Sequence, residues 1–172
     1  MIRFILFLLT PCFILQLSGC GGGGTSAPTK ATVTLSTVGT LPSDKLIGDI
    51  EITLNLPAGV TVKASPSLVN PSIMIPNDGV IELQGAAATA ANQIITATYA
   101  QGINNKIVIK LINANGLGIG NFAKINCDVV NGNSPSSNEI SITPDVASTT
   151  GVFDLNTSAL PEVQVSSSMV MQ

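Results

Sequence analysis

From Thr32 onward, apolar and polar residues alternate with a period of two, the spacing of strands that bury one face and wet the other. The cleanest run sets Ile50, Ile52, Leu54 and Leu56 against Asp49, Glu51, Thr53 and Asn55. An earlier run sets Val33 and Leu35 against Thr32, Thr34 and Ser36, and a Pro57-Ala58-Gly59 turn leads into a short strand from Val60. The same pattern predicts strands over residues 79–85, 93–100, 106–114, 121–130 and 139–145, with a last one near 161–166. Turn residues punctuate them at Asn77-Asp78-Gly79, Gln101-Gly102, Asn115-Gly116 and Asn131-Gly132-Asn133. Pro66, Pro71 and Pro76 mark residues 65–78 as a loop or edge segment, and the alanine-rich stretch 85–93 has room for a helical turn. Eight or nine short strands at this spacing predict an all-β protein, a β-sandwich over residues 31–166 with 167–172 as a C-terminal tail.

The first nineteen residues follow a different pattern. Met1-Ile2-Arg3 precedes about a dozen apolar residues, the charge-then-apolar layout of a secretion signal. The run is shorter than the ~20 residues a spanning helix needs, and Pro11 interrupts it. It ends in Leu17-Ser18-Gly19-Cys20, which resembles the lipobox of bacterial lipoproteins. That resemblance implies cleavage between Gly19 and Cys20, a thioether diacylglycerol on Cys20, and a third acyl chain on the new amine. Two or three chains hold a protein stably on a membrane, where one is marginal. Gly21 stands where many inner-membrane lipoproteins carry Asp, which implies the outer membrane or cell surface. Residues 20–30 then read as a lipidated, glycine-rich tether, whose ten residues after Cys20 have a root-mean-square reach of ~17 Å.

Composition narrows the chemistry. Charged residues make up 10% of the chain and aromatic ones 3%, and the formal charge is −3, with the lysines dispersed. No basic patch forms, so nucleic acid is not an expected partner. The chain has no histidine, which excludes Ser-His-Asp and Cys-His systems and the usual zinc sites. No metal or cofactor and no catalytic residue is expected. Cys12 departs with the leader and Cys20 is consumed by lipid, leaving Cys127 without a partner for a disulfide. Cys127 shares a strand face with Ala123, Ile125 and Val129 and is predicted to be a small buried apolar residue. Asp49 and Glu51 are a carboxylate pair of the kind glycoside hydrolysis uses, but they sit two apart on the wet face of one strand. Asn77-Asp78-Gly79 reads as a turn, because no run of alternating oxygen ligands follows it. Gly116, Gly118 and Gly120 imitate a phosphate loop, yet they feed a strand rather than a helix N-terminus. Of Tyr99, Phe122 and Phe153, the aromatic residues beyond the leader, Tyr99 alternates with Thr96 and Thr98 and is expected in the core rather than on a sugar-stacking platform.

The stretch "GLGIGNFAKINCDVV" resembles the signature strand of cohesin domains, with Gly118, Gly120, Ala123, Ile125, Cys127 and Val129 in the places of that pattern. Residues 33–62, with a strand ending at Leu56-Pro57-Ala58-Gly59, also resemble the opening of cohesin-like modules. The resemblance implies a nine-stranded jelly-roll sandwich that docks a partner through one sheet face and its rim. It implies a non-catalytic role, with dockerin-like protein modules as partners. Relatives share the fold with carbohydrate-binding modules, so polysaccharide is the alternative ligand. The resemblance assigns no contact residues.

Overall fold

The alternating runs become strands because each can cover its apolar side only against another sheet. The computed structural model describes residues 28–63, 72–74, 79–89, 93–100, 105–130, 133–143 and 151–172. The leader 1–19, Cys20, the Asn77-Asp78 part of one turn and the turns at Gln101-Gly102 and Asn131-Gly132 lie outside these residues. In chain order the elements are β1 (Lys30–Gly39), β2 (Ile47–Asn55), β3 (Val60–Val62), β4 (Ser72–Met74), β5 (Ile81–Leu83), α1 (Gly85–Thr89) and β6 (Gln93–Ala100). They continue as β7 (Lys106–Leu117), β8 (Gly120–Val129), a 3-10 turn (Ser137–Glu139), β9 (Ser141–Thr143), β10 (Gly151–Asp154) and β11 (Val163–Met171).

Two antiparallel sheets result. The first runs β11-β1-β8-β3, with β5 also on β8. The second runs β10-β2-β7-β6-β4, with β9 also on β2. Most steps along the chain cross from one sheet to the other; β6 and β7 are consecutive strands that pair directly. The inward residues form a single core: Val33 and Leu35 of β1, Ile125 and Cys127 of β8, Ile50 and Leu54 of β2, Ile107 and Ile109 of β7, and Tyr99 of β6. This is the expected all-β sandwich.

Several boundaries differ from the sequence expectation. Residues 167–172 are not a tail: β11 pairs with β1 from Gly39↔Val163 to Ala31↔Met171, and Gln172 N donates to Lys30 O at 2.8 Å. The tether likewise ends earlier, because Lys30 opens β1 and Thr29 O accepts from Val129 N at 2.9 Å. Asn115-Gly116 is not a turn but a bulge inside β7, where the register with β2 jumps from Asp49↔Ile112 to Ile47↔Leu117. Asn113 Oδ1 accepts from Asn115 N at 2.9 Å, and Gly116 adopts φ +76°, where a Cβ would lie 2.4 Å from Leu46 Cβ. The chain leaves the bulge at Leu117 and crosses between sheets through Gly118-Ile119. Thr37 Oγ1 closes that corner, accepting from Gly120 N at 3.0 Å and donating to Gly120 O at 3.2 Å.

Two short strands bring the described strands beyond the eight or nine expected. β4 lies at the edge of the second sheet, within the proline-marked segment. β10 was not expected, and it ends in Asp154, whose carboxylate is 2% exposed. Asp154 Oδ2 accepts from Lys45 Nζ at 2.7 Å, and Oδ1 accepts from Asn156 N at 2.9 Å and Ser158 N at 2.8 Å. The hydrogen bond from Lys45 holds this carboxyl below the usual carboxylate range. The same bond raises the pKa of Lys45.

Candidate docking face

Each residue with catalytic potential is placed by its strand. Cys127 points inward from β8 and is 2% exposed; burial pushes its thiol up to about 12. A neutral, enclosed thiol is no nucleophile at neutral pH. Asp49 and Glu51 point outward from β2 toward β7, and both reach the same cation: Lys110 Nζ lies 3.4 Å from Asp49 Oδ2 and 3.2 Å from Glu51 Oε2. Hydrogen bonding to Glu51, with the Asp49 charge adding, raises the Lys110 pKa. The two carboxylates are 22% and 16% exposed and share one cation, and Asp49 Oδ1 is buried without a hydrogen-bond partner among the described residues.

Tyr99 and Phe122 are 5% and 3% exposed, so neither offers a ring for sugar stacking. Burial raises the Tyr99 pKa, and its hydroxyl has no hydrogen-bond partner among the described residues. Phe122 is inside because of a bulge: β1 register passes from Leu35↔Ala123 to Ser36↔Asn121, letting the consecutive Phe122 and Ala123 both be buried. Phe153, on β10, is half-buried beside Asp49. The glycines 118 and 120 sit at the inter-sheet corner and lead into β8. A cavity there of about 110 Å³ is lined by Thr37, Ala86, Leu117 and Phe122 among others, with no charged group. Among the described residues, no three Cys, Asp or Glu side chains converge as a metal site would require.

On the outer face of the second sheet two exposed apolar side chains adjoin each other, whereas Val38 and Val170 of the first sheet stand at opposite ends of its β1–β11 ladder. Register places Phe153, Asp49, Ile112 and Ile94 in one row across β10, β2, β7 and β6. The next row holds Gly151, Glu51, Lys110 and Thr96. Ile94 is 61% exposed and Ile112 38%, side by side on neighbouring strands and one row from the Lys110 trio. Sequence reasoning did not single these two out, although a signal was present. Ile94-Ile95 and Leu111-Ile112 are consecutive apolar pairs, and on a strand one member of each pair must face away from the core.

No family model, no curated protein and no solved structure matches this chain.

Proposed function

We propose that the chain is a non-catalytic docking module, exported and held on a bacterial membrane by lipid on Cys20, whose sandwich recognises a protein partner through the outer face of the second sheet. The observation that carries this is the solvent-facing Ile94–Ile112 pair beside Asp49, Glu51 and Lys110. Apolar anchors flanked by charge are the composition of an interface core with its polar rim. The cohesin resemblance of residues 118–129 supplies the partner class, a dockerin-like module, and docking through a sheet face. The buried Cys127 and the Lys110-bridged carboxylates support a role without turnover. The lipobox supplies the address, and the glycine run after Cys20 gives the sandwich room to meet its partner.

The test is capture of dockerin-bearing proteins from the exported fraction of the same cells by membrane-held full chain. Ile94→Lys with Ile112→Lys is expected to weaken capture at least tenfold, while Thr34→Lys on the first sheet leaves it unchanged. Cys20→Ala is expected to abolish lipid labelling and release the chain from membranes. Equal capture by both face variants sinks the docking face, and a membrane-bound Cys20→Ala chain sinks the anchor.

A further inference from the structure

Among the described residues, the first sheet ends at β11 in an edge without Lys, Pro or a bulge. β11 is nine residues long, pairs with β1 on one side, and has no described strand on the other. Proteins blunt such edges with Lys, Pro, bulges or short strands. From Val163 to Gln172 the sequence is VQVSSSMVMQ, without a proline or a charge, and its register with β1 runs without a break.

The backbone geometry says which groups are on offer. Lys30 and Gln172 exchange both hydrogen bonds, N to O at 3.3 Å and 2.8 Å, which makes them a hydrogen-bonded pair. Bonded and non-bonded pairs alternate along an antiparallel ladder. The N–H and C=O groups of Gln164, Ser166, Ser168 and Val170 therefore face β1. Those of Val165, Ser167, Met169 and Met171 face the open edge.

The side-chain pattern says what fits. About Ser167 the strand is its own complement. Folded antiparallel on a copy of itself, Ser167 meets Ser167, Val165 meets Met169, and Val163 meets Met171 on the core side. On the wet side Ser166 meets Ser168, and Gln164 meets Val170, which is 60% exposed in the single chain. On the core side Val opposes Met, serines oppose serines on both sides, Val170 is covered by Gln164, and no like charges are brought together. Pairing about a residue matches odd-numbered positions with odd ones, so the edge-facing N–H and C=O groups fall into bonded pairs. Registers centred on Ser166 or Ser168 shorten the ladder and place serine against Val or Met.

We propose that β11 pairs with β11 of a second copy of this chain, antiparallel about Ser167, joining two first sheets into one continuous sheet. This leaves the outer face of each second sheet free, so it stands independently of the docking role.

The register makes the test specific. Ser166 and Ser168 of the partner form a non-hydrogen-bonded pair, with Cα atoms ~4.5 Å apart, within disulfide reach. In the full chain in its own membranes, Ser166→Cys together with Ser168→Cys is expected to give covalent dimer on mild oxidation. Either single variant, whose cysteine meets its own copy diagonally at ~7–8 Å, gives little above the parent chain. A second arm uses charge on the same wet positions, in the detergent-solubilised full chain. Ser166→Lys with Ser168→Lys sets like charges opposite each other twice and is expected to weaken self-association about tenfold. Ser166→Glu with Ser168→Lys sets opposite charges there and restores it. Equal cross-linking by single and double variants, cross-links to another protein, or a monomeric parent chain overturns the proposal.

Discussion

The two sheets are alike on their inner sides and unlike on their outer ones. Both send Val, Ile and Leu into one shared cluster. Outside, the first sheet presents Thr34, Ser36 and Val38 of β1, Lys124, Asn126 and Asp128 of β8, and Gln164, Ser166, Ser168 and Val170 of β11, with Thr32 on the same side but buried. Many of these serve one another: Ser36 Oγ donates to Asn121 Oδ1 at 2.6 Å, and Asn126 Nδ2 donates to Glu82 Oε1 at 2.7 Å and Gly79 O at 3.1 Å. The second sheet presents Ile94 and Ile112 in the open, with the Lys110 trio beside them. Period-two alternation builds both sheets and decides only which positions are wet. What those positions carry is free to differ: the first sheet's exposed apolar residues, Val38 and Val170, stand at opposite ends of the β1–β11 ladder, while the second sets Ile94 and Ile112 side by side in water.

The inner likeness is broken hardest by removing one large side chain from each sheet. Leu35 of β1 and Ile109 of β7 are both 0% exposed in the same cluster. Leu35→Ala and Ile109→Ala are each expected to destabilise by about 2–5 kcal/mol through lost burial and a residual cavity. Because the core is shared, each variant should show one cooperative unfolding transition in urea, shifted to lower denaturant. Two separate transitions in either variant show that the sheets are independent units.

Within the core the sheets bury different ionisable groups, the Cys127 thiol in the first and the Tyr99 phenol in the second. The folded pKa of Cys127, about 12, stands above the ~8.5 of an unfolded thiol. A raised value means that the folded chain holds its proton longer. The stability contribution is complete below the unfolded pKa and is lost as pH rises toward the folded one. Between about pH 9 and 10, below the ordinary tyrosine and lysine values, the thiol alone adds a slope of about 1.4 kcal/mol per pH unit. Cys127→Ala is expected to flatten the fall in unfolding free energy over that interval; an unchanged slope shows that the thiol is not held neutral.

Sequence and structure agree best where a strand is long and buried on one side. β6 follows its alternation residue for residue and β2 from Asp49 to Ile52, after which Thr53 is buried on the side the pattern expects to be wet; Cys127 and Tyr99 lie inward as their phases require. The pattern is silent where strands are short or where their inner positions are polar. β10 is four residues, too few to establish a period. β11 places Ser167 on its inner side, which hides the continuation from Val165 to Met169. Asn115-Gly116 has local turn chemistry, but pairing with β2 absorbs it as a bulge. The candidate docking face is half legible. Asp49 and Glu51 could be placed on a wet side, whereas their neighbour Lys110 belongs to a strand more than fifty residues away, and only the β2–β7 register joins them.

The smallest test compares one lysine from each outer face. Lys110 meets two carboxylates at 3.2 and 3.4 Å and is 41% exposed, while Lys124 meets Glu82 at 3.9 Å and is 35% exposed. Exposed ion pairs contribute about 0–1 kcal/mol each, because water and salt screen them and ordering long side chains opposes them. Lys110→Met also leaves Asp49 and Glu51 near each other without their shared cation. It is therefore expected to lower stability by up to about 1 kcal/mol, less in high salt. Lys124→Met is expected to fall within about 0.5 kcal/mol of the parent at any salt. Equal, salt-independent effects would mean that the trio carries no more electrostatic weight than the single pair. The charged row beside Ile94 and Ile112 would then be a solvated strand face rather than a preset rim.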